Sequence, residues 1–165
     1  MPSRKRSRTE FGTRMRRPID KRIIVVKQGG LNGTVTAKTL FTATTACTLV
    51  GVRWSFYSYG DAGTGGNVHD LAWILCIVRD GQSAGTVAVG DGNSLYEPEQ
   101  DVLAWGMDTS GATGVSGGDD LNDKFSGTTK TMRKLKSGDT LQLLLRGTNT
   151  ETSYLGGAVQ FFCME

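Results

Sequence analysis

Thr48-Leu49-Val50-Gly51-Val52-Arg53-Trp54-Ser55-Phe56-Tyr57-Ser58 sets the period on which the whole chain is read. Val50, Val52, Trp54 and Phe56 fall on one side of this stretch, and Gly51, Arg53, Ser55 and Tyr57 on the other. Successive side chains of an extended chain point to opposite faces. The alternation therefore predicts a strand over Thr48–Ser58 with one face buried and one in water.

The same period extends in both directions. Upstream, Thr34–Thr42 reads as a strand with Val35, Ala37 and Phe41 on one face and Thr34, Thr36, Lys38 and Thr42 on the other. Downstream, Asp61 to Asn67 is a glycine-rich loop. Leu71–Arg79 is apolar on both faces, the pattern of a central strand covered on both sides. Gly85–Gly90 is a weaker strand. Pro98–Trp105 reads as a short helix, because proline in a first turn with Glu99 and Asp101 nearby suits a helix start. The Gly, Ser, Thr and Asp stretch from Asp108 to Gly127 reads as a long surface loop. Thr128–Leu135 is a strand, and Lys136-Ser137-Gly138-Asp139 a turn. In Thr140–Arg146, Leu141, Leu143 and Leu145 alternate with Gln142, Leu144 and Arg146. Gly156-Gly157 precedes a last strand in which Val159, Phe161 and Cys163 share a face, an arrangement that anchors the final residues. Many short strands, little helix and 23 glycines predict an all-β sandwich or barrel. Long irregular connections favour Greek-key crossing, hence a single eight-stranded jelly-roll β-sandwich.

Charge is distributed unevenly. Residues 1–27 hold ten cations: Arg4, Lys5, Arg6, Arg8, Arg14, Arg16, Arg17, Lys21, Arg22 and Lys27. With Glu10 and Asp20 the segment sums to +8, whereas residues 28–165 sum to −5. The first 22 residues have little apolar surface to bury and repel one another, so a disordered or extended arm is expected over 1–27 and a folded domain over 28–165. Within the arm, the β-branched run Ile23 to Val26 suits an added edge strand or a path along the inner surface. Arginine and lysine neutralise phosphates and release counterions, giving affinity without sequence readout. Nucleic acid is therefore the expected partner of the ten cations. Arg4-Lys5-Arg6 and Arg14-x-Arg16-Arg17-Pro18 also suit a nuclear import signal. Lys130, Arg133, Lys134 and Lys136 form a smaller basic cluster, either a solvated strand and turn or a second phosphate-facing patch. Arg53, beside Trp54 and Tyr57, reads as an edge position with aromatic packing, and Trp54, Trp73 and Trp105 as core.

Other chemistry is thinly supported. Asp119, Asp120 and Asp123 offer oxygen ligands of the kind Ca²⁺ takes, but their spacing is not that of an EF-hand, and a solvated acidic loop is the plainer reading. No cofactor is expected otherwise. His69 is the single histidine, which excludes a multi-histidine metal site, and neither a G-x-x-x-x-G-K-[ST] loop nor G-x-S-x-G occurs. An enzyme is not expected. Cys47, Cys76 and Cys163 read as reduced, mostly buried thiols of an intracellular protein. No apolar run reaches the ~18 residues of a membrane helix, and no apolar stretch follows the N-terminal charges as in a secretory signal, so no membrane partner is expected.

Arg4-Lys5-Arg6-Ser7-Arg8, Arg14-Met15-Arg16-Arg17-Pro18 and the late Arg133-Lys134-Leu135-Lys136-Ser137-Gly138-Asp139-Thr140-Leu141 turn into a strand carry a resemblance. The chain's organisation resembles capsid proteins of circular Rep-encoding single-stranded DNA (CRESS-DNA) viruses and is similar in size to satellite-virus coat proteins. The resemblance implies an interior-facing arm, a closed icosahedral shell of about sixty copies of the chain, and a packaged genome, single-stranded DNA before RNA. It also implies residence in the virion and, during assembly, the host nucleus. A cellular nucleic-acid-binding β-barrel with a basic tail is the alternative; it predicts basic residues on the folded domain as well.

Overall fold

The computed structural model describes residues 19–31, 33–60, 69–83, 100–110, 121–147 and 153–164. The regular structure among them is all β: β1 Ile19–Leu31, β2 Thr36–Thr42, β3 Cys47–Gly60, β4 His69–Val78, β5 Gln100–Ser110, β6 Leu121–Leu135, β7 Thr140–Gly147 and β8 Ser153–Met164. They form two four-stranded antiparallel sheets, ordered β1-β8-β3-β6 and β2-β7-β4-β5. Every connection except β4 to β5 passes from one sheet to the other. This is the eight-stranded jelly roll, and it is the architecture the alternation predicts.

The core lies between the sheets. Leu71, Trp73, Leu75 and Ile77 of β4 and Leu141, Leu143 and Leu145 of β7 meet Leu49, Val52 and Phe56 of β3 and Leu155, Val159 and Phe161 of β8. A four-ring cluster closes one end of it. Trp73 reaches across to Trp54, Phe56 and Phe125, with ring centroids 5.6, 5.9 and 5.7 Å away. Both tryptophans stand directly opposite a glycine on the neighbouring strand: Trp54 pairs with Gly127 and Trp73 with Gly106. A Cβ at 106 would lie 2.6 Å from Trp73 Nε1, and one at 127 would overlap the Trp54 ring. The missing side chains let each indole fold over its neighbour strand, an aromatic–glycine pairing that fixes register. β4 is buried on both faces, as its sequence predicts. Its outer residues Ala72, Ile74, Cys76 and Val78 form a second cluster with Leu144. The three cysteines are free, with Cys76 and Cys163 buried and Cys47 half-buried. Burial pushes the Cys76 and Cys163 thiols up to about 12, which keeps both protonated and unreactive near neutrality.

Several expectations are corrected. β1 runs through the boundary drawn after Lys27 and pairs with β8 from Ile19↔Met164 onward, so Lys21, Arg22 and Lys27 stand on a strand. It is an edge strand, where outward charges remain hydrated. A bulge between Thr39 and Phe41 turns Phe41 inward and leaves Ala37 exposed, so Val35, Ala37 and Phe41 do not share a face. A second bulge, between Leu49 and Gly51, places Leu49 in the core instead of Val50. The helix expected at Pro98–Trp105 is strand β5 from Gln100, because pairing with β4 outweighs the helix-start signal; Trp105 is 62% exposed and not core. β6 begins at Leu121, inside the stretch read as loop. Gly156 and Gly157 lie within β8 and do not precede it. The strand expected at Gly85–Gly90 and the helix-starting Pro98 lie outside the described residues.

The turn after β6 is held by an ionic knot. Gly138 takes φ 92°, which favours glycine. The Asp139 carboxylate is 2% exposed and accepts hydrogen bonds from Lys136 N at 2.9 Å, Asp80 N at 3.0 Å and Arg79 Nη1 at 2.7 Å. Arg79 also pairs with Asp101 of β5 and donates to Lys134 O of β6. Burial alone would push the Asp139 carboxyl up; the hydrogen bonds from Lys136, Arg79 and Asp80 outweigh it and hold the carboxyl below its usual range.

Gly127→Ala should destabilise the sandwich by about 1–3 kcal/mol in urea unfolding, whereas Ser126→Ala on the exposed face should stay within about 0.5 kcal/mol. Equal effects would rule out the ring–glycine account. A carboxyl depressed by folding contributes stability that is present above its unfolded pKa, about 3.9, and lost as pH falls through the folded value. Circular dichroism should therefore show stability declining below about pH 4. Asp139→Ala should lose about 2–4 kcal/mol at neutral pH and depend less on pH in the acid range.

Candidate nucleic-acid interface

The ladder pairings arrange the outer face of the β1-β8-β3-β6 sheet in rows. One row runs Lys21, Phe162, Gly51, Lys130; the next Ile23, Gln160, Arg53, Thr128; then Val25, Ala158, Ser55, Ser126; then Lys27, Gly156, Tyr57, Lys124. At the opposite end Ile19, Met164, Thr48 and Lys134 form a further row. Six cations thus share one face: Lys21, Lys27, Arg53, Lys124, Lys130 and Lys134, all exposed. No acidic residue stands at an outward position among the described residues of these four strands.

The acids face elsewhere. Asp20 lies on the inward side of β1 and pairs with Arg22 at 2.7 Å. Arg22 in turn sits 5.1 Å from the Phe41 ring centroid, and its hydrogen bond and charge pairing with Asp20 push its pKa up. Arg133 turns inward to Asp101, 3.8 Å away. A sheet surface with one sign of charge attracts phosphates without reading sequence. Rigid pairing also sets the cation spacing, since neighbouring strands lie about 4.8 Å apart.

Of the ten cations expected to bind nucleic acid, the structure places Lys21 and Lys27 on this face and Arg22 off it. Arg4, Lys5, Arg6, Arg8, Arg14, Arg16 and Arg17 lie outside the described residues. The smaller basic cluster does not stay together: Lys130 and Lys134 join the face, Arg133 points inward, and Lys136 sits in the turn with its N–H on Asp139. Asp119 and Asp120 lie outside the described residues; Asp123 pairs with Ser58 in the β6–β3 ladder. No group of three His, Cys, Asp or Glu residues suited to a metal is present among the described residues. Sequence reasoning missed Arg53 and Lys124. Arg53 is on a central strand and not an edge, and the polar side of the alternation at 48–58 already marked it. Lys124 carried no signal, because its strand reads as loop.

No protein-family model matches the chain, and no curated protein is similar to it in sequence. Among solved structures the chain is similar to one in the structure of infectious bursal disease virus, Gx strain, at 11% identity and a TM-score of 0.38. The match covers 89% of this chain and 32% of that one, so this chain spans about a third of its neighbour's length. A likeness at that level does not bear on function.

Replacing Arg53, Lys124 and Lys130 together by glutamine should weaken binding of a single-stranded oligonucleotide. The log–log salt slope should become shallower by about 2, from roughly 0.7 per lost phosphate contact. A slope unchanged in fluorescence anisotropy would remove this face from the interface.

Proposed function

We propose that this chain is the coat protein of a small virus. Copies of the sandwich assemble into a closed shell and draw the genome to its inner surface by charge. The observation that supports this best is the six-cation outer face of the sheet that contains β1, into which the Arg-rich N-terminal segment leads directly. Seven further cations in residues 1–18 and the six on the sheet would address the same phosphates. Repetition over many subunits would multiply a weak contact into strong retention. Passage through the nucleus belongs to the same proposal on the N-terminal basic motifs, and a single-stranded DNA genome belongs to it on the resemblance alone, since phosphate contacts do not distinguish DNA from RNA.

The fold alone is shared by capsids, lectins and cupins, so it supports the reading only together with the charge. A second reading, a cellular nucleic-acid-binding β protein with a basic tail, gains from the same face, because that reading predicts cations on the folded part.

Electron microscopy of the expressed chain separates the two. Uniform spherical particles are expected; monomers or small oligomers alone, with and without nucleic acid, would overturn the coat-protein reading. Removing residues 1–18 should leave residual binding with a salt slope near −4, from six cations at roughly 0.7 each. Complete loss would assign the attraction to the N-terminal segment alone.

A further inference from the structure

We infer that Tyr57 is a stacking site for one unpaired base, with Lys27 and Lys124 taking the phosphates on either side. This rests on the proposed nucleic-acid role and adds a ligand class: single-stranded nucleic acid, in preference to a continuous duplex whose bases are already stacked. Tyr57 is 48% exposed on the outer face of central strand β3. Directly opposite it on β8 stands Gly156, and a Cβ there would overlap the tyrosine ring at Cζ, Oη and Cε1. The ring therefore lies over bare backbone, braced on one face by β8, with its other face toward solvent. An open hollow of about 440 Å³ borders it, lined by Ser55, Tyr57, Lys124 and Ser126 together with Phe56, Phe125 and Gly157. That volume is within the range of small-ligand sites.

The surroundings fit a nucleotide. Lys27, Gly156, Tyr57 and Lys124 form one row across four strands. The two lysines stand about 14 Å apart at the backbone, three strand spacings, with the ring between them. A base on the ring would have an ammonium group within reach on either side of its backbone. The Ser55 and Ser126 hydroxyls can donate to or accept from base edges without selecting one base. Stacking tolerates every base because each has a π face, so a coat lining could use it along any genome. An apolar role does not account for the ring: the core clusters are complete without it, and Tyr57 belongs to neither.

The test compares full-length protein binding to oligothymidylate and to an abasic oligomer of the same length and charge, by anisotropy at fixed salt. Wild type should prefer the base-bearing strand roughly tenfold or more. Tyr57→Phe should keep that preference. Tyr57→Ala should reduce it toward unity while the salt slope stays unchanged. Equal wild-type affinity for the two strands, or a preference that survives Tyr57→Ala, would overturn the stacking site yet leave phosphate binding in place. Failure of wild type to bind either strand at low salt would overturn the nucleic-acid role itself. Photocrosslinking of wild type to a 5-iododeoxyuridine oligomer gives an independent arm: adducts should map to Tyr57, and adducts found only elsewhere would overturn the site.

Discussion

Three large rings lie over three glycines, and the sandwich depends on that pairing. Trp73 opposite Gly106, Trp54 opposite Gly127 and Tyr57 opposite Gly156 are each direct ladder partners. In each case any side chain at the glycine would occupy the ring's space. A slip by one residue at Gly106 or Gly127 would bring a Cβ under the indole and turn every inward residue to water, so these pairs oppose slippage strongly. Two of the rings face inward and join the sheets through the cluster around Trp73. The third faces outward and offers its free side to solvent. One steric device thus packs the core and prepares the surface.

The net charge of the folded part misleads as a sum. Residues 28–165 carry −5, yet the described residues among them hold nine cations against six acids. Eight acids of residues 28–165 lie outside them: Asp61, Asp91, Glu97, Glu99, Asp119, Asp120, Glu151 and Glu165. Among the described residues, the outward positions of the β1-β8-β3-β6 sheet therefore carry cations and no acid, a distribution that the net charge hides.

Period two was legible wherever one face is apolar and the other polar: β3, β7 and the end of β8 could be read from alternation alone, and β4 from its apolar run. Three kinds of element were not legible. Bulges displace the register by one residue without any composition signal, which is why Leu49 and not Val50 is buried. Glycine read as a loop marker at 127 and 156, where it in fact accommodates a ring on another strand, a long-range fact absent from local sequence. β5 carried a helix-start pattern that pairing with β4 overrode. Of the candidate interface, Arg53 and Tyr57 were visible as the polar side of one strand. Their assembly with Lys27 and Lys124 depends on non-neighbouring strands and could not be read locally.

Arginine and lysine divide the work between the inside and outside of the sheet. Arg22, Arg79 and Arg133 turn to Asp20, Asp101 and Asp139 at the margins between the sheets. There a planar fork can satisfy a partly buried carboxylate, and several donors from one group can tie separate strands together. The outer face uses five lysines and Arg53. An ammonium on a flexible stem remains hydrated and follows a phosphate wherever the strand places it. Asp20, Asp101 and Asp139 are thereby matched by arginines. A face built this way holds a polyanion loosely at many points, and only a group with shape, such as the Tyr57 ring, can add preference to it.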